Sequence, residues 1–233
     1  MPQFTITGEV DPFLHVSLEQ GERIYCESNA MVMMEDSLRI KGQMKGGLGR
    51  ALLRRMTSEE SLFQQEIEAI NGRGDCLLSP ALPGGMELLD VAAHSAYTLA
   101  DGSFVAAEST VELGCRMNQL GGALFGGNGG FVVMEASGQG KLAVSGFGSI
   151  DTLAVSPGRE LVIDNNHVVA WSSSLEYEVG LPPHSSDGWF GSLVGSATTG
   201  EGLVLKFRGT GKVVVCSRNR ELFRNLMPVA NTN

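Results

Sequence analysis

Three stretches of this chain repeat one pattern of glycine, polar and apolar residues. Residues 21–38 align without a gap with residues 158–175, and residues 94–111 form a third, more diverged copy. Each copy is followed by a glycine-rich connection and then by an apolar run that ends in Gly-x-Gly. Because the same order occurs three times, we predict that one structural unit is present in three copies that share a core.

Inside the repeated stretches, apolar residues alternate with polar ones. Leu203, Leu205 and Phe207 are separated by single residues, as are Ile24 and Cys26. A period of two places one face of a β-strand in a core and the other face in water. Glycine reaches positive φ without steric cost, so each Gly-x-Gly predicts a tight hairpin. The three predicted hairpins lie at residues 72–74, 138–140 and 209–211.

These patterns predict an all-β fold. We expect three tandem, similar β-sandwich or barrel-like units in a pseudo-threefold arrangement, with at most one short helix near residues 48–57. The expected units are residues 1–80, 81–146 and 147–233, the last with a C-terminal tail, fused into one compact domain. The predicted shared core includes Ile24, Val32, Val105, Leu161, Val169 and Leu205.

The segment 59–70 carries conflicting signals. It is rich in Glu, Gln, Leu and Ala-type helix formers, so propensity alone predicts a helix there. The corresponding segments of the other copies, residues 131–136 and 203–207, have the pattern of strands. The repeat therefore predicts a strand at residues 62–69.

Net charge, hydropathy and cysteine spacing indicate which partners and which cellular compartment to expect. The net charge is −9, which argues against a nucleic-acid partner because binding to phosphates depends on accumulated Lys and Arg. No apolar run is long enough to span a bilayer, and no secretion signal is evident at the N-terminus. The four cysteines, Cys26, Cys76, Cys115 and Cys216, have no CxxC spacing, so we predict buried, reduced side chains and a cytoplasmic protein.

Several motifs resemble those of one protein family. They are Gly46-Gly-Leu48 with Ser61-Leu-Phe63, Gly121-Gly with Gly130-Phe131, and the Gly-Glu-x-Ile-x-x-Glu sequence that begins at Gly21. The chain resembles, from about Thr7 to Arg218, a bacterial family of unknown function related to a mitochondrial biogenesis protein of the inner membrane. The resemblance implies three fused units similar to the subunit of the tryptophan RNA-binding attenuation protein. It implies no catalytic residues, and fold similarity does not transfer RNA binding to this acidic chain.

The residue types that usually carry catalysis do not form a recognisable motif. The Gly140-Lys141 and Gly211-Lys212 pairs lack the Ser or Thr of a phosphate-binding loop, and no two histidines have metal-ligand spacing. Glu27 and Asp164 occupy equivalent positions, where polar turn caps are the simpler interpretation. We expect no catalytic residue, no metal and no cofactor, although the sequence leaves the question of an enzyme open.

The predicted binding surface combines a basic segment with apolar loop residues. Basic and apolar side chains alternate in the first glycine-rich connection, and aromatic residues occur in the second and third connections. Such residues are typical of an interface or a membrane contact. The predicted set is Lys45, Leu48, Arg50, Leu52, Arg54, Arg55, Phe125, Trp189 and Phe190.

Two classes of function are compatible with these observations. The first is a non-enzymatic assembly or scaffold protein, or a peripheral membrane protein, that forms homo-oligomers and meets an anionic membrane surface or a protein partner. The second is a small-ligand-binding protein or an enzyme. Its pocket would lie where the three units meet and would involve residues such as Glu27, Asp164 and His167.

Overall fold

A computed structural model describes residues 1–43, 64–118, 131–180, 203–220 and 222–223. The regular elements of these residues are β-strands and one turn of 3-10 helix at Asn165–His167, and residues 220, 222 and 223 are α-helical. This confirms the all-β fold class. The helix expected near residues 48–57 lies outside the described residues.

The described residues contain nineteen strands, which are one N-terminal strand followed by three groups of six. Strand β1 is Gln3–Thr7. The first group is β2 (Phe13–Leu18), β3 (Arg23–Glu27), β4 (Met31–Met34), β5 (Leu38–Gln43), β6 (Gln64–Ala69) and β7 (Gly74–Leu78). The second group is β8 (Met86–Val91), β9 (Tyr97–Leu99), β10 (Phe104–Glu108), β11 (Val111–Asn118), β12 (Phe131–Gly138) and β13 (Gly140–Ser145). The third group is β14 (Ile150–Val155), β15 (Leu161–Asp164), β16 (Val168–Ser172), β17 (Glu176–Gly180), β18 (Val204–Arg208) and β19 (Gly211–Cys216).

One pairing order recurs in the three groups. The sixth strand of a group pairs with the first and the third, as β7 does with β2 and β4. The fifth strand pairs with the fourth and the second, as β6 does with β5 and β3. The second and third groups have the same pairs, all antiparallel.

Strand pairing also joins one group to the next. The second strand of the first group, β3, pairs with the third strand of the second group, β10. Strand β9 pairs with β16 in the same way. Two six-stranded sheets result, in the orders β5-β6-β3-β10-β13-β8 and β11-β12-β9-β16-β19-β14. The other strands form a four-stranded sheet, β1-β2-β7-β4, and a three-stranded sheet, β15-β18-β17.

The prediction that the strands on either side of each Gly-x-Gly form a hairpin is wrong, although the glycine conformation is as expected. Gly72, Gly138 and Gly209 have φ values of +94°, +92° and +104°. The two strands that flank each turn belong to different sheets, for example β12 and β13. Positive φ therefore turns the chain from one sheet into another. Sequence alternation identifies the strands but does not say which strands pair.

The conflict at residues 59–70 is resolved as the repeat predicted. Residues 64–69 form β6, which lies between β5 and β3 with hydrogen-bonded neighbours on both sides. Ile67 and Ala69 are buried there. Two paired neighbours and a buried face outweigh a helix preference that amounts to only a few tenths of a kcal/mol per residue, on the order of 0.5 at most for these residue types.

Three apolar clusters form the core. Of the predicted core residues, Ile24, Val105, Val169 and Leu205 are buried and Leu161 is half-buried. The prediction for Val32 is wrong: its side chain is 53% exposed, and β4 is an edge strand of its sheet among the described residues. The burial predicted for Cys26, Cys76 and Cys216 is confirmed. The unit boundaries and the pseudo-threefold axis stay predictions.

Candidate functional site

The predicted binding residues lie outside the residues that the structure describes. This applies to the basic segment and its leucines (Lys45, Leu48, Arg50, Leu52, Arg54 and Arg55) and to Phe125, Trp189 and Phe190. The structure shows where the three connections begin and end. Each joins the fourth and fifth strands of its group, which pair at Gln43 with Gln64, Asn118 with Phe131, and Gly180 with Val204.

The junctions between groups are buried strand pairs. At the first junction Ala106 of β10 lies opposite Cys26 of β3, and at the second Ala170 of β16 lies opposite Leu99 of β9. All four side chains are fully buried. The third strand of each group also has a register shift against its own group, between Phe104 and Ala106 in β10. A bulge of this kind bends and twists a strand.

Two strands that correspond to junction strands lie at sheet edges. Strand β4 is the third strand of its group and ends the four-stranded sheet, and β15 is the second strand of its group and ends the three-stranded sheet. Met31, Val32 and Met33 of β4 are exposed, and so is Val162 of β15. Exposed apolar edge strands are ready templates for pairing with another strand.

A cavity of about 240 Å³ lies at the second junction. It is formed by the turns that precede β10 and β16 and by the residues that follow β13 and β19. Arg218 lies with its Cζ atom 6.0 Å from the centre of the Phe147 ring, and Arg220 Nη2 lies 3.7 Å from Asp101 Oδ2. Asn165 Oδ1 is buried and has no hydrogen-bond partner among the described residues. Arg220 is therefore paired with a carboxylate of the same cavity wall, and Arg218 is the second basic side chain among the lining residues.

The residues suggested for a junction pocket do not line this cavity. Asp164 caps the 3-10 turn by accepting a hydrogen bond from the Asn166 amide at 2.7 Å, and His167 Nδ1 lies 2.8 Å from the carbonyl oxygen of Cys216. Neither residue, nor Glu27, contributes to the cavity wall. The neighbours Asn165 and Asn166 do. The turn at residues 164–167 therefore contributes to the cavity wall through Asn165 and Asn166, and the junction pocket suggested from the sequence stays a prediction.

A serine, a histidine and an aspartate lie together on the four-stranded sheet β1-β2-β7-β4. The sequence analysis missed this cluster. His15 Nε2 lies 3.0 Å from Asp75 Oδ1, and the Ser17 hydroxyl donates to the same oxygen. The Ser17 hydroxyl and His15 lower the pKa of Asp75 against the opposing effect of burial. A catalytic triad needs histidine between serine and aspartate so that it can accept the serine proton. Here aspartate is central, so the cluster cross-links β2 and β7 rather than activating a nucleophile.

Neither a membrane helix nor a metal cluster is found in the described part of the chain. Within the ranges given above, no group of three His, Cys, Asp or Glu side chains is arranged to hold a metal ion. Among the described residues, no helix is long enough and apolar enough to cross a membrane. The buried thiols are also poor nucleophiles, since burial raises the pKa of Cys26 and of Cys76 to about 12.

The recurring strand order and its buried junctions define an all-β protein whose sheets are shared between consecutive segments of one chain. Residues 4–218 match the family described as "Mitochondrial biogenesis AIM24", and the chain belongs to this family. The uncharacterized protein M6_Spy0233 of Streptococcus pyogenes serotype M6 is 34% identical over 228 residues, covering 95% of this chain and 88% of the relative. The crystal structure of protein SPYM3_0169 from Streptococcus pyogenes superposes with a TM-score of 0.77 at 32% identity, covering 97% of each chain.

Proposed function

We propose that this protein is a non-enzymatic assembly protein that acts by self-association. The observation that carries the proposal is the pair of open strands, β4 and β15, in a chain that twice joins the corresponding strands into buried junctions. Apolar edge strands are normally shielded by charge, proline or a covering segment. Strand β4 has the sequence Met-Val-Met-Met and carries neither charge nor proline.

Self-association is tested by the mass of the full chain. Native mass spectrometry and light scattering across a wide concentration range should give multiples of the 24.7 kDa chain. A protein that stays monomeric at the highest concentration attainable would contradict the proposal. An excess of anionic or neutral vesicles in parallel samples separates self-association from lipid binding.

The proposal extends to the glycine-rich connections as a second contact surface, at a cytoplasmic or membrane-peripheral location. The connections begin and end at equivalent strand pairs, which supports a related position for all three. The variant with Lys45, Arg50, Arg54 and Arg55 changed to Gln should lose sedimentation with anionic vesicles. The variant with Phe125, Trp189 and Phe190 changed to Ser should lose vesicle binding or oligomeric mass at an unchanged melting temperature. If both variants bind and associate like the parent, this surface is wrong.

A small-ligand-binding function is the second candidate, favoured by the cavity at the second junction. Arg218 in the cavity wall offers a partner for an anionic group, and the polar lining residues Ser103 and Asn166 offer hydrogen-bonding groups for a hydroxyl. Lactate carries both groups, whereas propionate lacks the hydroxyl. Calorimetry should show that lactate binds more tightly than propionate and that Arg218→Gln weakens both. If neither acid binds the parent protein, the cavity has no such role.

A further inference from the structure

The strand pairs β3–β10 and β9–β16, which form the two junctions inside the chain, have the same register. Cys26 and Leu99 occupy equivalent positions of the repeat, and so do their partners Ala106 and Ala170. The same alignment assigns Met33 of β4 to the position of Ala106 and Ile163 of β15 to the position of Cys26. A third junction with this register would therefore place Met33 opposite Ile163.

The shape of β4 matches that of the two junction strands. Against their own groups, β10 has a register shift between Phe104 and Ala106 and β16 has one between Val168 and Ala170. Strand β4 has the equivalent shift between Met31 and Met33. Because a bulge changes the direction and twist of a strand, the equivalent shift in β4 supports a shape like that of the two strands that have junction partners.

Joining the two open edges would complete a third sheet. The order would be β17-β18-β15-β4-β7-β2, which repeats the strand order of both six-stranded sheets, with β1 added outside β2. The junction would also cover Val32, whose equivalents Val105 and Val169 are buried, and Val162 of β15. Within one chain the two strands lie in separate sheets, and among the described residues each is an edge strand, so the chain carries both halves of a junction that is not formed there.

We infer that β4 of one copy pairs antiparallel with β15 of a second copy, with Met33 opposite the partner's Ile163. This inference rests on the proposed self-association and names its interface. The contact is head-to-tail, so it closes when two copies exchange both edges and otherwise extends to larger rings or fibres. Main-chain hydrogen bonds supply the pairing, and the apolar side chains of both strands supply the burial.

Cysteine pairs test the register. Directly opposed residues in an antiparallel pair have Cβ atoms about 4.5–5.5 Å apart, so the Met33→Cys, Ile163→Cys double variant should oxidise to disulfide-linked dimers and higher species on a non-reducing gel. The matched control is Met34→Cys with Ile163→Cys. Its residues are one position out of register and point to opposite faces of the sheet, so it should cross-link at least tenfold more slowly. Each single cysteine variant reports any linkage through native thiols.

The possible outcomes separate this inference from the proposed function. Oligomers that form without cross-linking at Met33 and Ile163 would overturn the interface and leave self-association standing. A monomer with no cross-link would overturn both, and so would a disulfide within one chain, seen as lost thiols without a gain in mass. Val32→Lys provides a second test, because a charge at this edge should give a folded monomer with an unchanged circular dichroism spectrum. An oligomer of unchanged mass would contradict the inference.

Discussion

Strand β4 and strands β10 and β16 occupy the same place in their groups but lie in different surroundings. Val105 and Val169 are 0% and 2% exposed, whereas Val32 at the equivalent position is 53% exposed. The sequence at all three positions is valine, and all three strands carry the same bulge. What differs is the neighbouring strand. Val32 is therefore the exposed counterpart of two buried valines, and this difference supports the proposed interface.

The strongest test of this comparison places a carboxylate at equivalent positions. Val105→Asp should lower the free energy of unfolding by more than about 4 kcal/mol, because it buries a charge without a partner. Val32→Asp should change the stability of the isolated chain by no more than about 0.5 kcal/mol. Urea denaturation at low protein concentration measures both.

Protein concentration decides how the Val32→Asp result is interpreted. Association stabilises the folded state by mass action, so the parent should become more stable as concentration rises and the Val32→Asp variant should not. If Val105→Asp and Val32→Asp were equally destabilising at low concentration, Val32 would be a core residue and the comparison would fail.

A second prediction concerns the residue next to the central junction position. Trp171, Ala107 and Met34 are equivalent, and Trp171 is buried against Tyr177 and Phe207, with ring centres 5.1 and 5.7 Å away. Trp171→Ala should cost about 3 kcal/mol through the cavity it leaves. The half-buried Met34 should cost less when changed to Ala, about 1 kcal/mol. Equal losses in thermal unfolding would show that β4 is packed as fully as β16.

The smallest expected effect is a pH dependence of the free energy of unfolding. It comes from Asp75, which lies on β7 in the sheet that ends in β4. The folded-state pKa of Asp75 lies below its usual value of 3.8, chiefly because the Ser17 hydroxyl donates to it. A lowered pKa contributes stability that is complete above pH 3.8 and is lost as the pH falls through the folded value. For a partly exposed pair the contribution should stay below about 1 kcal/mol.

The matching variant is Asp75→Asn, which retains the shape of the side chain and cannot ionise. Its stability should fall less steeply than that of the parent below pH 4, roughly the usual pKa of the group. Denaturation curves collected at several pH values report the slope. Parallel slopes for parent and variant would mean that Asp75 contributes no pH-linked stability.

Much of the strand content could be predicted from the sequence, because alternation and repetition are local signals. The strand at residues 64–69 is the clearest case, since the repeat outweighed its helix-forming composition. The pairing of strands could not be predicted, because Gly72 and its equivalents turn the chain between sheets and the junction partners are far apart in sequence.

The candidate site was less accessible to sequence reasoning. Alignment placed Val32 in the core with Val105, and the two differ in the structure because β4, unlike β10, lies at a sheet edge among the described residues. The cavity at the second junction depends on Arg218 and Asn165, which belong to segments that no local motif connects. The predicted loop residues, such as Phe125 and Trp189, stay predictions.

Hydrogen exchange measured as a function of protein concentration tests the central claim most directly. The amides of β10 and β16 lie inside six-stranded sheets and should be protected at every concentration. The amides of residues 31–34 and 161–164 that are not hydrogen-bonded to β7 or β18 should exchange rapidly in the dilute monomer and become protected together as the protein associates. If these two segments exchange at the same rate at all concentrations, or if only one becomes protected, β4 and β15 are not the two halves of an interface between copies.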